Sequence, residues 1–272
     1  MRAAGSGAKP KYGYIAITFS ATAISGGRRQ SVGDGAGDDK LRPVTLASTD
    51  SLDPGADIPR HRHQVPYAAV VLSGGYEEAG DGGRWRAEAG DVLIHAPFST
   101  HLDRAPRNRT VVLNLPLPWL WAPTSSRMRV DDPDAVARLA ERDARDAAVL
   151  LLTMLQPGAP ALQDDADLLA GALSDEAAPQ IAAWSQEAEV TRQTAWRRFA
   201  AAYGVGPARF RVEARARRTW RRLVDRGETL SAITAAEGFA DQAHMTRDIR
   251  SLTGRTPGWW RAERHSFKTR AE

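Results

Sequence analysis

The 272-residue chain contains no cysteine. A disulfide framework and a thiolate metal site are therefore excluded, and a reducing cytoplasm, the expected location, is compatible with the composition. Long apolar runs are also missing. No stretch approaches the roughly 18–20 residues that a membrane-spanning helix needs, so no membrane partner is expected. A strong overall charge is absent too, with 37 Lys+Arg against 33 Asp+Glu. The two signs are unevenly spread, however. Residues 171–272 carry 18 basic and 12 acidic side chains, and the remainder carries 19 and 21. The positive excess lies in the last third, as in a domain that faces nucleic acid.

A chain of this length has room for two domains with cores of their own. Residues 1–40 are rich in Gly, Ala and Ser and read as a disordered extension. Within them "YGYIAITFSATAIS" faintly resembles a signal-peptide core, a reading at odds with the basic helical half described below. From Leu41 to Leu117 the pattern is one of short strands split by turns. "VPYAAVVLSGG", "YEEAGDGGRWRAEAGDVLIHAP" and "RTVVLNLPL" combine β-formers with Gly-Asp turn chemistry, the signature of a small antiparallel barrel or sandwich. His61 and His63 lie two apart, so on a strand both point to one face. Next, "DPDAVARLAERDARDAAVLLLTMLQ" opens on an Asp-Pro start and carries Val136, Leu139, Ala140, Ala144, Ala147, Leu151 and Met154 at helical spacing. "QPGAPALQDD" reads as a linker, and "ADLLAGALSDE" as the first helix beyond it.

The most informative stretch is "GFADQAHMTRDIRSLTGRTPGWW", Gly238 to Trp260. Asp241 is a good N-cap, and Met245, Ile249 and Leu252 form one apolar stripe. Ala243, Arg247 and Arg250 fall opposite that stripe, His244 flanks them, and Gln242 sits in the exposed first turn. Gly254 closes the helix and Pro257 prevents its restart. Upstream, "LSAITAAEG" places Leu230, Ile233 and Ala236 at helical spacing. Helix, turn at Gly238, second helix is the helix-turn-helix pattern. A second copy precedes it in "IAAWSQEAEVTRQTAWRRFAAAYGVGPARF". There Thr191 is the cap, Ala195 and Phe199 are the anchor, and Arg192, Gln193 and Arg197 face outward. Between the two copies, "ARFRVEARARRTWRRLVDR" reads as one long basic helix.

These residues carry a resemblance. Asp175 to about Glu263 is similar to the DNA-binding domain of AraC/XylS-type transcription regulators, above all in "I-x-x-x-x-GF-x-DQ-x-H-x-x-R" followed by "G-x-TP-x-x-W-R". The first copy departs from the family pattern, with Glu189 in place of a turn glycine and Ala195 in place of leucine. The β-rich half resembles the cupin-like sensor domain of such regulators through "HRH" at His61–His63, "LSGG" at Leu72–Gly75 and "AGDVLIHAPFSTH" at Ala89–His101.

The resemblance implies an α+β chain: an antiparallel β-barrel or sandwich, cupin-like, then an all-α domain with two helix-turn-helix units. The expected division is a sensor domain with C-terminal helices over 41–155, a linker over 156–167 and the DNA-binding domain over 168–265. Double-stranded DNA would be met by Arg192, Gln193, Arg197, Gln242, Ala243, His244, Arg247 and Arg250, since Arg, Gln and Ala suit guanine, adenine and the thymine methyl respectively. A small-molecule effector would meet His61, His63, Tyr67 and His101. Metal-binding cupins use such a histidine pair, a nearby glutamate and a later histidine. Here His61, His63 and His101 could hold a divalent metal ion, but Tyr67 or Ala68 occupies the glutamate's place. The resemblance also implies a homodimer through the helices after the barrel, contact with RNA polymerase if the protein is an activator, and no enzymatic activity. The alternatives are a cupin metalloenzyme with an accessory helical domain, and a ligand-independent DNA-binding protein whose barrel only dimerises.

Overall fold

A computed structural model describes residues 47–119, 126–225 and 227–269; the extension expected over residues 1–40 lies outside them. The β-rich half contains β1 (Ser48–Leu52), β2 (Asp57–Arg62), β3 (Tyr67–Ser73), β4 (Gly75–Gly80), β5 (Gly83–Glu88), β6 (Asp91–His95), β7 (Thr100–Arg104), β8 (Thr110–Pro116) and β9 (Ser126–Arg129). They form two antiparallel sheets together with β10 (Gln156–Pro157): β1-β8-β3-β6-β9-β10 and β2-β7-β4-β5. Of the two architectures expected, this is the sandwich.

The central strands of the six-stranded sheet, β3, β6 and β8, are buried on both faces, which is why "AAVVL" reads as an unbroken apolar run. Ala68, Val70, Val92 and Ile94 pack against Val136, Ala147 and Leu151 of the helices α1 (Pro133–Ala140) and α2 (Ala144–Met154). Tyr67, Ala69, Val71 and Leu93 point the other way and meet Tyr76, Trp85 and Ala87 of the four-stranded sheet. Where the sequence shows one continuous helical periodicity over residues 133–154, the structure has two helices. Asp143 breaks the run because its carboxylate accepts from the backbone N–H groups of Arg145 and Asp146 and so caps a new helix.

The helical half contains α3 (Asp165–Ser174), α4 (Ile181–Glu187), α5 (Arg192–Tyr203), α6 (Pro207–Asp225), α7 (Leu230–Ala236), α8 (Gln242–Thr253) and α9 (Pro257–Thr269). One cluster joins α3, α5 and the start of α6 around Phe199, Tyr203 and Phe210. A second joins α6, α7, α8 and α9 around Trp220, Ile233, Met245 and Ile249. Each helix-turn-helix unit thus packs on one end of α6.

The outer face of the four-stranded sheet docks on this half through Ala79 and Leu102, which belong to the first helical cluster, and Phe98, in the turn between β6 and β7, belongs to the second. Polar contacts lie between these patches. Arg60 Nη2 stands 2.9 Å from Glu213 Oε2, both side chains 4% exposed. Arg217 Nε lies 2.9 Å from Asp81, and Arg104 donates to the Ala201 carbonyl at 2.6 Å. The segment between the halves is pinned along the sandwich. Gln156 and Pro157 pair with β9, Leu162 N donates to Arg84 O at 2.8 Å, and Arg84 binds Asp164 and Asp167.

Glu189 explains a departure noted in the sequence. The turn of the second unit uses Gly238 at φ 68°, and Glu189 occupies the matching turn of the first unit at φ 54°. An L-residue with a Cβ is strained there, by about 1–2 kcal/mol, against which glycine's greater freedom in the unfolded chain must be set. Glu189→Gly should therefore raise stability by about 1 kcal/mol, a rise of roughly 2–4 °C in thermal midpoint. An unchanged or lower midpoint by calorimetry would show that the turn relaxes around the glutamate.

Candidate nucleic-acid interface and sensor cluster

Both candidate reading helices are built the same way. Thr191 Oγ1 accepts from Thr194 N at 3.1 Å and starts α5; the Asp241 carboxylate accepts from His244 N at 2.6 Å and starts α8. Gly204 and Gly254 end them at φ 67° and 75°, a conformation glycine adopts without strain. The inward stripes, Ala195 with Phe199 and Met245 with Ile249 and Leu252, are buried. Arg192, Gln193 and Arg197 on α5, and Gln242, Ala243, Arg247 and Arg250 on α8, are exposed.

His244 differs from its neighbours. It is half-buried, with Nε2 3.1 Å from Arg215 Nη2 and 3.7 Å from Asp248 Oδ2, and its ring lies edge-on to Phe239. Arg215 also pairs with Asp248 at 2.9 Å and covers the Phe239 ring at 4.3 Å. This histidine is therefore engaged in holding α8 onto α6. Trp196, beside Arg197, was missed from the sequence although it lies off the apolar stripe; it is 55% exposed.

In the sandwich, β2 pairs with β7 so that His61 faces His101. The His61 ring centroid is 4.7 Å from that of His63 and 4.4 Å from that of His101, so the three histidines expected to converge do so. Tyr67 lies 5.0 Å from His63, and all four side chains are buried. They border a cavity of about 240 Å³.

Two further groups join them, neither selected from the sequence. His95 of β6 stacks on Tyr67 at 4.2 Å and 13°, and Glu78 of β4 lies 3.6 Å from His95 Nε2. The signal for His95 was period-2 alternation with Leu93, which faces the interior; Glu78 needed the β4–β7 register, which no local pattern gives. Burial and then the neighbouring Asp103 and Asp81 charges hold the Glu78 carboxyl well above the usual carboxylate range. Burial and then the other imidazoles hold His95 and His101 well below the usual histidine range.

Residues 184–263 match the family described as a helix-turn-helix domain. No curated protein matches the chain. Among solved structures, an AraC-type transcriptional regulator from Chromobacterium violaceum is 23% identical, covering 37% of this chain and 88% of its own, with a TM-score of 0.33. ToxT from Vibrio cholerae O395 is 10% identical, covering 79% of this chain and 95% of its own, at TM-score 0.35. A DNA-binding transcriptional dual regulator from Escherichia coli K-12 is 14% identical, covering 40% and 99%, at TM-score 0.34. Residues 184–263, within the helical half, are a helix-turn-helix domain. No helix among the described residues is long and apolar enough to cross a membrane.

Proposed function

We propose that the chain is a sequence-specific transcription regulator whose α5 and α8 enter successive major grooves, and whose sandwich binds a small-molecule effector beside His61, His63, Tyr67 and His101. The observation that carries this reading is the pair of similarly capped helices with exposed Arg and Gln, set at the two ends of α6. That helix has 19 residues and is about 28 Å long. Neighbouring major grooves on one DNA face repeat at roughly 34 Å, so a rigid spacer of this length suits two reading helices. The linker expected over residues 156–167 overlaps β10 and the start of α3, and a division between those two elements would leave effector binding to one half and DNA reading to the other.

The test is a titration of the full chain against duplex DNA from upstream of its own coding region and against a scrambled duplex, repeated at several salt concentrations. Specific binding should be tighter on the first by 10³-fold or more, of the order seen for specific readers. Both affinities should fall as salt rises, because phosphate contacts release counterions. Equal affinity for both duplexes at every salt concentration would count against sequence reading.

A further inference from the structure

The cluster inside the sandwich holds more than its motif. Glu78 on β4, His95 on β6 and His101 on β7 each bring one ligand atom to within 4.8 Å of the others, and His101 is shared with the triad of His61 and His63. Glu78, His95 and His101 are 2%, 1% and 4% exposed. His95 Nε2 and His101 Nδ1 are buried with no hydrogen-bond partner, an unfavourable state for ring nitrogens removed from water.

The charges are also incomplete. The Glu78 carboxylate receives a long contact of 3.4 Å from the Tyr76 hydroxyl and stands 3.6 Å from His95 Nε2. Its acidic neighbour Asp81 is answered by Arg217, but no Lys or Arg pairs with Glu78 among the described residues. The 3.6 Å gap is too long for a hydrogen bond. It is close to the spacing of about 3.3 Å that two ligand atoms take when each is roughly 2.0–2.1 Å from one tetrahedral ion.

We propose that Glu78, His95 and His101 bind a divalent first-row transition metal ion, with His61 and His63 beside its fourth coordination position. The carboxylate absent from the motif position, where Tyr67 stands, is supplied from β4. Tyr67 serves as a support instead, since its ring stacks on His95 and fixes that imidazole. Imidazoles held neutral by burial, with one carboxylate, form a donor set suited to zinc and its neighbours. The ion would also set a positive charge against Glu78, which no Lys or Arg pairs among the described residues. The inference does not depend on what the helical half reads, because it is measured without DNA.

The experiment uses the full chain, stripped with chelator and titrated with Zn²⁺ and with Co²⁺, whose visible absorption reports a low-coordinate site. One ion per chain should survive gel filtration. Glu78→Gln and His95→Gln should each weaken binding by about 10–100-fold or more, since loss of supporting residues alone has that effect at metal sites, and should change the Co²⁺ spectrum. Anomalous scattering from zinc-loaded wild-type crystals should place the ion between Glu78, His95 and His101, a measurement that needs no variant to fold. A wild type that retains no ion would overturn the proposal. So would an ion bound among His61, His63 and His101 alone, with Glu78→Gln and His95→Gln binding like wild type.

Discussion

Glu213→Ala should lower the stability of the whole chain by about 3–5 kcal/mol, the usual cost of removing one partner from a buried ion pair. Arg60 would keep its charge in a site where the pair is 4% exposed on each side. Its remaining described hydrogen bond, 3.3 Å to the Tyr203 carbonyl, does not neutralise that charge. The thermal midpoint should drop by roughly 6–20 °C for a chain of this size. Replacing both partners, as Arg60→Met with Glu213→Leu, should cost much less, because no orphan charge is left behind. Calorimetry of the three proteins decides it. A single-variant loss below about 1 kcal/mol would mean that Arg60 reaches water easily, and that the contact between the halves opens without difficulty.

The same contact lies back to back with the histidine cluster. Along β2, Arg60 points to Glu213 of α6 while His61 points into the cluster. Along β7, the Thr100 hydroxyl accepts from Arg217 at 3.4 Å and Leu102 joins the helical core, while His101 points inward. Alternation along a strand sends neighbouring residues to opposite faces. One pair of strands therefore carries the histidine cluster on one face and the seat of the linking helix on the other. Anything bound at the cluster acts on backbone that α6 already touches.

What the sequence revealed follows from how local each signal is. Thr191, Gly204, Asp241 and Gly254 set caps within a few residues, and the stripes of Ala195 with Phe199 and Met245 with Ile249 recur within one or two turns. Both candidate reading helices and the basic helix between them were therefore readable. His61 and His63 were readable by their spacing of two. Glu78 was not, since it meets His101 only through strand pairings that no local pattern specifies, and for His95 alternation with Leu93 marked the inward face but not the partner it meets there. Glu213 had a faint signal, as an acidic side chain between Arg211 and Arg215 on a basic helix. Its partner Arg60, in "PRHRH", carries no such signal, because a long arginine gives no hint of which neighbour buries it. The break at Asp143 was hidden by apolar spacing that continues through it.

Arg247→Ala should separate specific from non-specific DNA binding. The side chain is exposed, opposite buried Met245 and Ile249, and it makes no ion pair among the described residues, unlike Arg198, which binds Asp165, and Arg215, which binds Asp248. Its loss should leave the fold intact, with a thermal midpoint close to wild type. A bidentate contact from an arginine to guanine contributes about 1–3 kcal/mol of discrimination, or roughly 5–150-fold in affinity at the cognate site. On a scrambled duplex at the same salt concentration the loss should be much smaller, because phosphate contacts set that affinity and many other arginines share them. Arg197→Ala should act in the same way at the other half of the site, since α5 presents it from an equivalent position. His244→Ala should instead lower stability as well as affinity, since that ring is held against Arg215 and Phe239. Binding titrations on cognate and scrambled duplexes at one salt concentration distinguish these cases. An equal loss on both duplexes would make Arg247 a phosphate contact, and no loss on either would place α8 outside the groove.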